Sequence, residues 1–95
     1  MVKYDLDVQF ENTVKIMVIY LKAGGVLKDL LKPDIDTYTR KVTTEAGITI
    51  REILVELGIN PSLVAYLYTD GKVQQLEYIP KEGQTITLQP PVSGG

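Results

Sequence analysis

The stretch that most constrains this chain is Thr49-Ile50-Arg51-Glu52, continued by Ile53, Leu54 and Leu57 and closed by Gly58. A threonine three residues ahead of a glutamate is a capping box. The hydroxyl takes an orphan backbone N–H of the first helical turn, and the carboxylate reaches back to the threonine's own N–H. Ile50, Ile53, Leu54 and Leu57 recur at helical spacing and place one apolar stripe on one face. Gly58 supplies a left-handed stop, and Pro61 prevents continuation. The spacing predicts a helix over 50–57. One helix with one stripe covers one layer, so the remaining residues must supply a sheet for it to cover.

The strand patterns are consistent with that. Val2, Tyr4, Leu6, Val8 and Phe10 alternate with Lys3, Asp5, Asp7 and Gln9, which predicts a half-buried strand over 2–10. Residues 14–21 read as a second strand of a different kind. Val14, Ile16, Val18 and Tyr20 make one face and Met17, Ile19 and Leu21 the other, with Lys15 its only charge. A strand apolar on both faces is central or has both faces covered. Residues 22–36 form a connector punctuated by Gly24-Gly25 and Pro33-Asp34, in which Val26, Leu27, Leu30 and Leu31 suit a short amphipathic turn. Strands are predicted over 37–44 and 63–68. Asp70-Gly71 is a hairpin signal, with the return at 73–76. Residues 84–89 form the last strand, with Ile86 and Leu88 facing in and Thr85, Thr87 and Gln89 facing out. Pro90-Pro91 ends it, because proline cannot donate to a ladder.

Composition narrows the chemistry. The chain has 95 residues, enough for one domain, and an apolar share of 44% argues against disorder. It has no cysteine and no histidine. Thiol nucleophiles, zinc–thiolate sites and serine–histidine triads are therefore excluded, and an independent catalyst would have to run on carboxylates, lysine or tyrosine. Net charge is −2 and mixed along the chain, leaving no basic stripe for nucleic acid. No apolar run approaches the roughly 20 residues of a membrane span, and Met1-Val2-Lys3-Tyr4-Asp5 is not a signal peptide. A cytoplasmic protein without membrane or nucleic-acid partners is expected. Asp5 and Asp7 share a strand face, and Asp34 and Asp36 a loop. No companion ligands accompany them, so solvated carboxylates rather than a metal site are expected. Tyr66 and Tyr68 are expected as core and rim aromatics.

The sequence finishes Pro90-Pro91-Val92-Ser93-Gly94-Gly95. Glycine has no Cβ and can thread a channel too narrow for any side chain, which suits a C-terminal carboxylate that is itself the reacting group. A frayed chain end accounts for the same residues.

From about Lys15 onward the chain resembles the β-grasp sulfur carriers of the MoaD/ThiS type, within the ubiquitin-like family. The likeness is carried by the strand Lys15–Tyr20, the helix Thr49–Gly58, the hairpin Asp70-Gly71-Lys72, the turn Lys81-Glu82-Gly83-Gln84 and the ending Leu88–Gly95. The Pro-Pro-Val-Ser-Gly-Gly ending is closer to the small subunit of molybdopterin synthase, MoaD, than to the thiamine carrier. Two departures stand out. Residues 1–13 precede the family's usual first strand, and Gly83-Gln84 replaces the common Gly-Asp, at the cost of a capping-type contact at most.

The resemblance implies an α+β, β-grasp fold: a mixed sheet packed on one main helix, with an additional N-terminal strand. The expected division is an extra strand at 1–13, the β-grasp domain at 14–89 and a flexible tail at 90–95. In such a sheet the first strand is flanked on both sides, so residues 2–10 are expected at a sheet edge, or paired with another molecule.

It also implies a function. A ubiquitin-activating-type adenylating enzyme transfers AMP from ATP to the Gly95 carboxylate, and a sulfur donor displaces AMP to leave a thiocarboxylate. The tail then enters a large catalytic subunit of molybdopterin synthase type, with Pro90, Pro91, Val92, Ser93 and Gly94 bound in the channel. No cofactor is bound by the carrier itself; ATP is used by the partner. Residues 92–95 extend to at most about 14 Å, enough to enter a buried site. Ser93 either hydrogen-bonds there or is a solvated tail residue. Met17, Ile19 and Leu21 are expected as the partner-docking patch. Alternatives are a protein modifier joined to lysines, a sulfur carrier for thiamine or tRNA thiolation, and a non-reactive interaction module.

Overall fold

A computed structural model describes residues 14–92. The strand expected over 2–10 and the last three residues of the tail lie outside the described residues. Among the described residues there are five strands and two helices: β1 (Ile16–Lys22), α1 (Gly25–Leu31), β2 (Thr39–Glu45), α2 (Ile50–Glu56), a 3₁₀ turn (Pro61–Leu63), β3 (Tyr66–Thr69), β4 (Lys72–Gln74) and β5 (Thr85–Gln89). The sheet order is β2-β1-β5-β3-β4.

The capping box forms as the sequence predicts. Thr49 Oγ1 accepts from the Glu52 N–H at 3.2 Å, and the Glu52 carboxylate accepts from the Thr49 N–H at 2.8 Å. The other end is a Schellman motif. Gly58, at φ 80°, donates to the Val55 carbonyl, and Ile59 donates to that of Leu54 at 2.9 Å. The first-turn N–H groups of Ile50 and Arg51 donate to Tyr78 and Leu76 carbonyls, both at 3.0 Å, which ties the helix to the loop before β5. There the Arg51 guanidinium meets Glu77 at 2.8 Å and holds that carboxyl below its ordinary pKa.

α1 replaces the short turn expected within 22–36. Leu27 and Leu31 sit one turn apart and are buried, which turns two helical turns onto the sheet. Lys32 ends the helix in the left-handed region at φ 59°, and Pro33 follows. Arg40 then donates to the free Leu31 carbonyl at 3.0 Å. The strand predicted over 63–68 begins later, at Tyr66, because Pro61 opens a 3₁₀ turn capped by Asn60, whose side chain accepts from the Ser62 N–H. Asp70 and Gly71, at φ 52° and 75°, close the β3–β4 hairpin with two left-handed residues, as its twist requires.

The core lies between the helices and one sheet face. Ile50, Ile53 and Leu54 of α2 and Leu27 and Leu31 of α1 cover Met17, Ile19, Leu21, Leu67, Ile86 and Leu88. Gln84 makes the capping contact that its substitution for aspartate was expected to cost: its side chain accepts from the Lys81 N–H at 2.9 Å and donates to Asp70 at 2.7 Å. Thr44 is 6% exposed in this core, and its hydroxyl has no hydrogen-bond partner among the described residues.

Thr44→Val is therefore expected to stabilise the protein by about 1 kcal/mol, since it removes a buried polar group that gains nothing on folding. Thr49→Ala is expected to lose about 1 kcal/mol with the cap. Urea unfolding of both variants beside the parent checks each sign.

Candidate functional site

The tail leaves the body from the middle of the sheet. β5 is flanked by β1, in parallel through Tyr20↔Thr85 to Lys22↔Thr87, and by β3, antiparallel through Tyr66↔Gln89 to Tyr68↔Thr87. The Ala65 N–H adds a bond to the Gln89 carbonyl at 2.7 Å, so pairing holds β5 to its last residue. Pro90 then ends the ladder for want of an N–H. Pro90 and Pro91 are exposed, and Val92, the last described residue, is 93% exposed. Beside the exit lies an uncharged cleft of ≈ 480 Å³, lined by Gly24, Val26, Leu27, Leu63, Leu88 and the two prolines among others.

Met17, Ile19 and Leu21 are not a docking patch. They are 5%, 0% and 0% exposed and form the core under the helices. The cause is strand phase. Ile86 and Leu88 of β5 face the helices, and the parallel register sets Leu21 level with Ile86, so the odd positions of β1 point to the same side. The even positions face away. Ile16, Val18 and Tyr20 belong to the open face, with Tyr66 and Tyr68 of β3 and Val73 of β4. Tyr66 and Tyr68 are 38% and 46% exposed, which corrects their reading as core and rim side chains. Register aligns Lys22, Thr87, Tyr68 and Val73 in one cross-strand row, with Gln89 and Tyr66 in the row nearest the tail. Tyr66, Tyr68 and Val73 thus form an aromatic and apolar band on the open face beside the point where the tail departs, with polar Thr85 and Thr87 of β5 between it and Tyr20 of β1.

Sequence reading missed this band because β1 is apolar on both faces, so its alternation alone does not say which face the helices cover. The usable signal was polar Thr85 and Thr87 on β5, whose outward phase matches that of Lys22. Among the described residues no group of His, Cys, Asp or Glu converges to hold a metal ion. Asp34 and Asp36 are engaged with backbone. Asp34 accepts from the Lys41 N–H at 2.9 Å, and Asp36 from that of Tyr38 at 2.8 Å. The Tyr38 N–H lowers the Asp36 pKa by favouring its ionised form. Both perturbed carboxyls, Asp36 and Glu77, are explained by these local contacts.

A first and a last strand lying parallel at the centre of a five-stranded mixed sheet, with a capped helix across one face, define the β-grasp, ubiquitin-like fold. Among solved structures the chain is similar to SAMP1 from Haloferax volcanii. The two share 21% identity and a TM-score of 0.57, over 82% of this chain and 99% of that one, and this likeness establishes the fold. No protein-family model matches the chain, and no curated protein matches it significantly. No helix among the described residues is long and apolar enough to cross a membrane.

The two faces of β3 give a direct test of phase. Leu67→Ala is expected to cost about 2–5 kcal/mol. Tyr68→Ser, one residue along but on the open face, is expected to cost under about 1 kcal/mol, the range of a cross-strand pair. Equal losses in urea unfolding would contradict the assigned faces.

Proposed function

We propose that this protein is a sulfur carrier whose Gly95 carboxylate is activated by a partner. The observation that carries the reading is the tail's origin. The chain leaves a central strand, flanked by β1 as far as Thr87 and by β3 to its last residue Gln89, through a proline pair to a 93% exposed Val92. A tail anchored this way points outward from a rigid base, and the prolines lower the entropy lost when it enters a channel.

The chemistry balances without any group from the body of the domain. A Gly95 carboxylate oxygen attacks the α-phosphorus of ATP on a ubiquitin-activating-type enzyme, and pyrophosphate leaves. Sulfide then adds to the acyl carbon of the adenylate, and AMP departs with the bonding pair, leaving a thiocarboxylate. The absence of cysteine and histidine from the sequence suits a protein acted upon rather than acting. The Pro-Pro-Val-Ser-Gly-Gly ending favours, as the next step, sulfur donation within a molybdopterin synthase, with the tail inserted into the large subunit. The open-face band of Tyr66, Tyr68 and Val73 is the docking surface this reading assigns, since it is rich in tyrosine and lies beside the tail.

The test is intact mass after incubation with such an adenylating enzyme, ATP and sulfide, beside a known carrier. One oxygen exchanged for sulfur at Gly95 is expected, with no change in a chain lacking Gly95. A reactive control beside an unchanged sample would sink the proposal. Lysine conjugates in place of the exchange would favour the modifier reading. Tyr68→Asp is expected to slow activation on the order of tenfold. Val55→Asp, on the solvent side of α2, is expected to leave it unchanged. Equal rates for both variants would remove the docking surface from the proposal.

A further inference from the structure

The cleft beside the tail exit is apolar and open to water. Its closed end is built from Leu27 of α1 and Leu88 of β5, both buried in the core. Its mouth is built from exposed apolar side chains: Val26 is 75% exposed and Leu63 39%. Pro90 and Pro91 form a further wall. No charged side chain lines it. Lys28, the one cation of α1, lies instead over the Tyr38 ring, 5.7 Å from its centroid. Leu27 and Leu88 belong to the helix side of the sheet, whereas Tyr66 and Tyr68 belong to the open face. The tail therefore departs between two surfaces, and the cleft is the one lined by its prolines.

The rim of the cleft is kept low by Gly24. Its backbone is extended, at φ −120°, and a Cβ added there would meet no atom within 4 Å. Neither conformation nor packing calls for glycine at this position. Serine or asparagine would also cap α1 better, since Gly24 offers no side-chain acceptor. What glycine does provide is an open rim, because any side chain at this position would stand at the cleft's edge.

We propose that the adenylating enzyme of the carrier reading seats an aromatic side chain in this cleft, against Pro90 and Pro91. The inference rests on that reading for its partner. Charge excludes an ionic occupant, because an ion among uncharged walls loses its hydration and gains no counter-charge. Size and shape favour a ring. A cleft of ≈ 480 Å³ has room for a double ring such as indole. Prolines present flat faces to aromatic side chains, the mode by which proline-rich segments are recognised. Thr87 and Gln89 in the lining carry side-chain oxygens that can accept from an indole N–H. A ring held there packs the prolines against Val26 and Leu63, so the partner sets the direction in which the chain leaves β5.

Methyl NMR of the full chain with N-acetyl-tryptophanamide, an uncharged indole, reads the cleft without any enzyme. Saturable shifts of the Val26, Leu63 and Leu88 methyls are expected below about 10 mM, with Val55 and Ile79 unmoved. N-acetyl-leucinamide is expected to bind roughly fivefold more weakly. Gly24→Leu is expected to remove this binding and, in the adenylation assay, to raise the KM for the carrier about tenfold with little change in kcat. Leu63→Asp is expected to do the same, and urea unfolding checks that both variants are folded. No shift at the cleft methyls, or equal binding of the leucine probe, would overturn the proposal. Shifts centred on Val73 would overturn it too and give the ring to the open face. A parent chain that the enzyme does not adenylate would overturn the carrier reading. A parent adenylated with the same KM as both variants would overturn the cleft alone.

Discussion

The parallel pairing of β1 with β5 is the contact on which the rest of the molecule depends. It joins the two ends of the domain across nearly its whole sequence, so its loop-closure cost is met only when the intervening elements fold together. Two backbone bonds and one to a side chain lead into it. Gly83 donates to Val18, Tyr20 to Gln84, and the Glu82 carboxylate accepts the Val18 N–H before β5 has begun. With β1 and β5 central, β2 and the β3–β4 hairpin are left to flank them, and both helices share one face.

That same pairing sets the geometry of the proposed chemistry. A tail attached to an edge strand would share the edge's mobility. Here it follows a strand bonded on both sides, and the prolines begin where the ladder stops. The open face meets the tail at this point, so a partner that docks on Tyr66 and Tyr68 lies beside the exit. In the proposed function two tasks fall to different residues. The body provides a stable base with an aromatic surface, and the reactive atoms, in the reading proposed above, belong to a terminal glycine.

Much of the architecture was legible in the amino-acid sequence because it rests on local rules. Thr49 and Glu52 announce a helix start that the backbone geometry reproduces, and Gly58 announces its end. Asp70-Gly71 announces a hairpin, and the alternation from Thr85 to Gln89 gives β5 with the correct faces. Two-turn α1 was underread, since seven residues between a glycine pair and a proline carry little propensity and the helix forms by burying Leu27 and Leu31 against the sheet. The open face of β1 was read on the wrong side. Met17, Ile19 and Leu21 and their even-numbered neighbours are nearly equal in apolar character, and nothing local separates them.

The sequence by itself determined the identity of the elements, the want of thiol and imidazole chemistry and the small-residue ending, because each follows from residue types and short spacings. Tertiary structure alone decided which face of the central strand is buried and which part of the β2 edge is unpaired among the described residues. The helices settle the first: they lie on the side where Ile86 and Leu88 complete the core, and every strand in register must follow. The Asp34 loop settles the second, by closing half of β2 through contacts between residues several positions apart whose meeting no periodicity encodes.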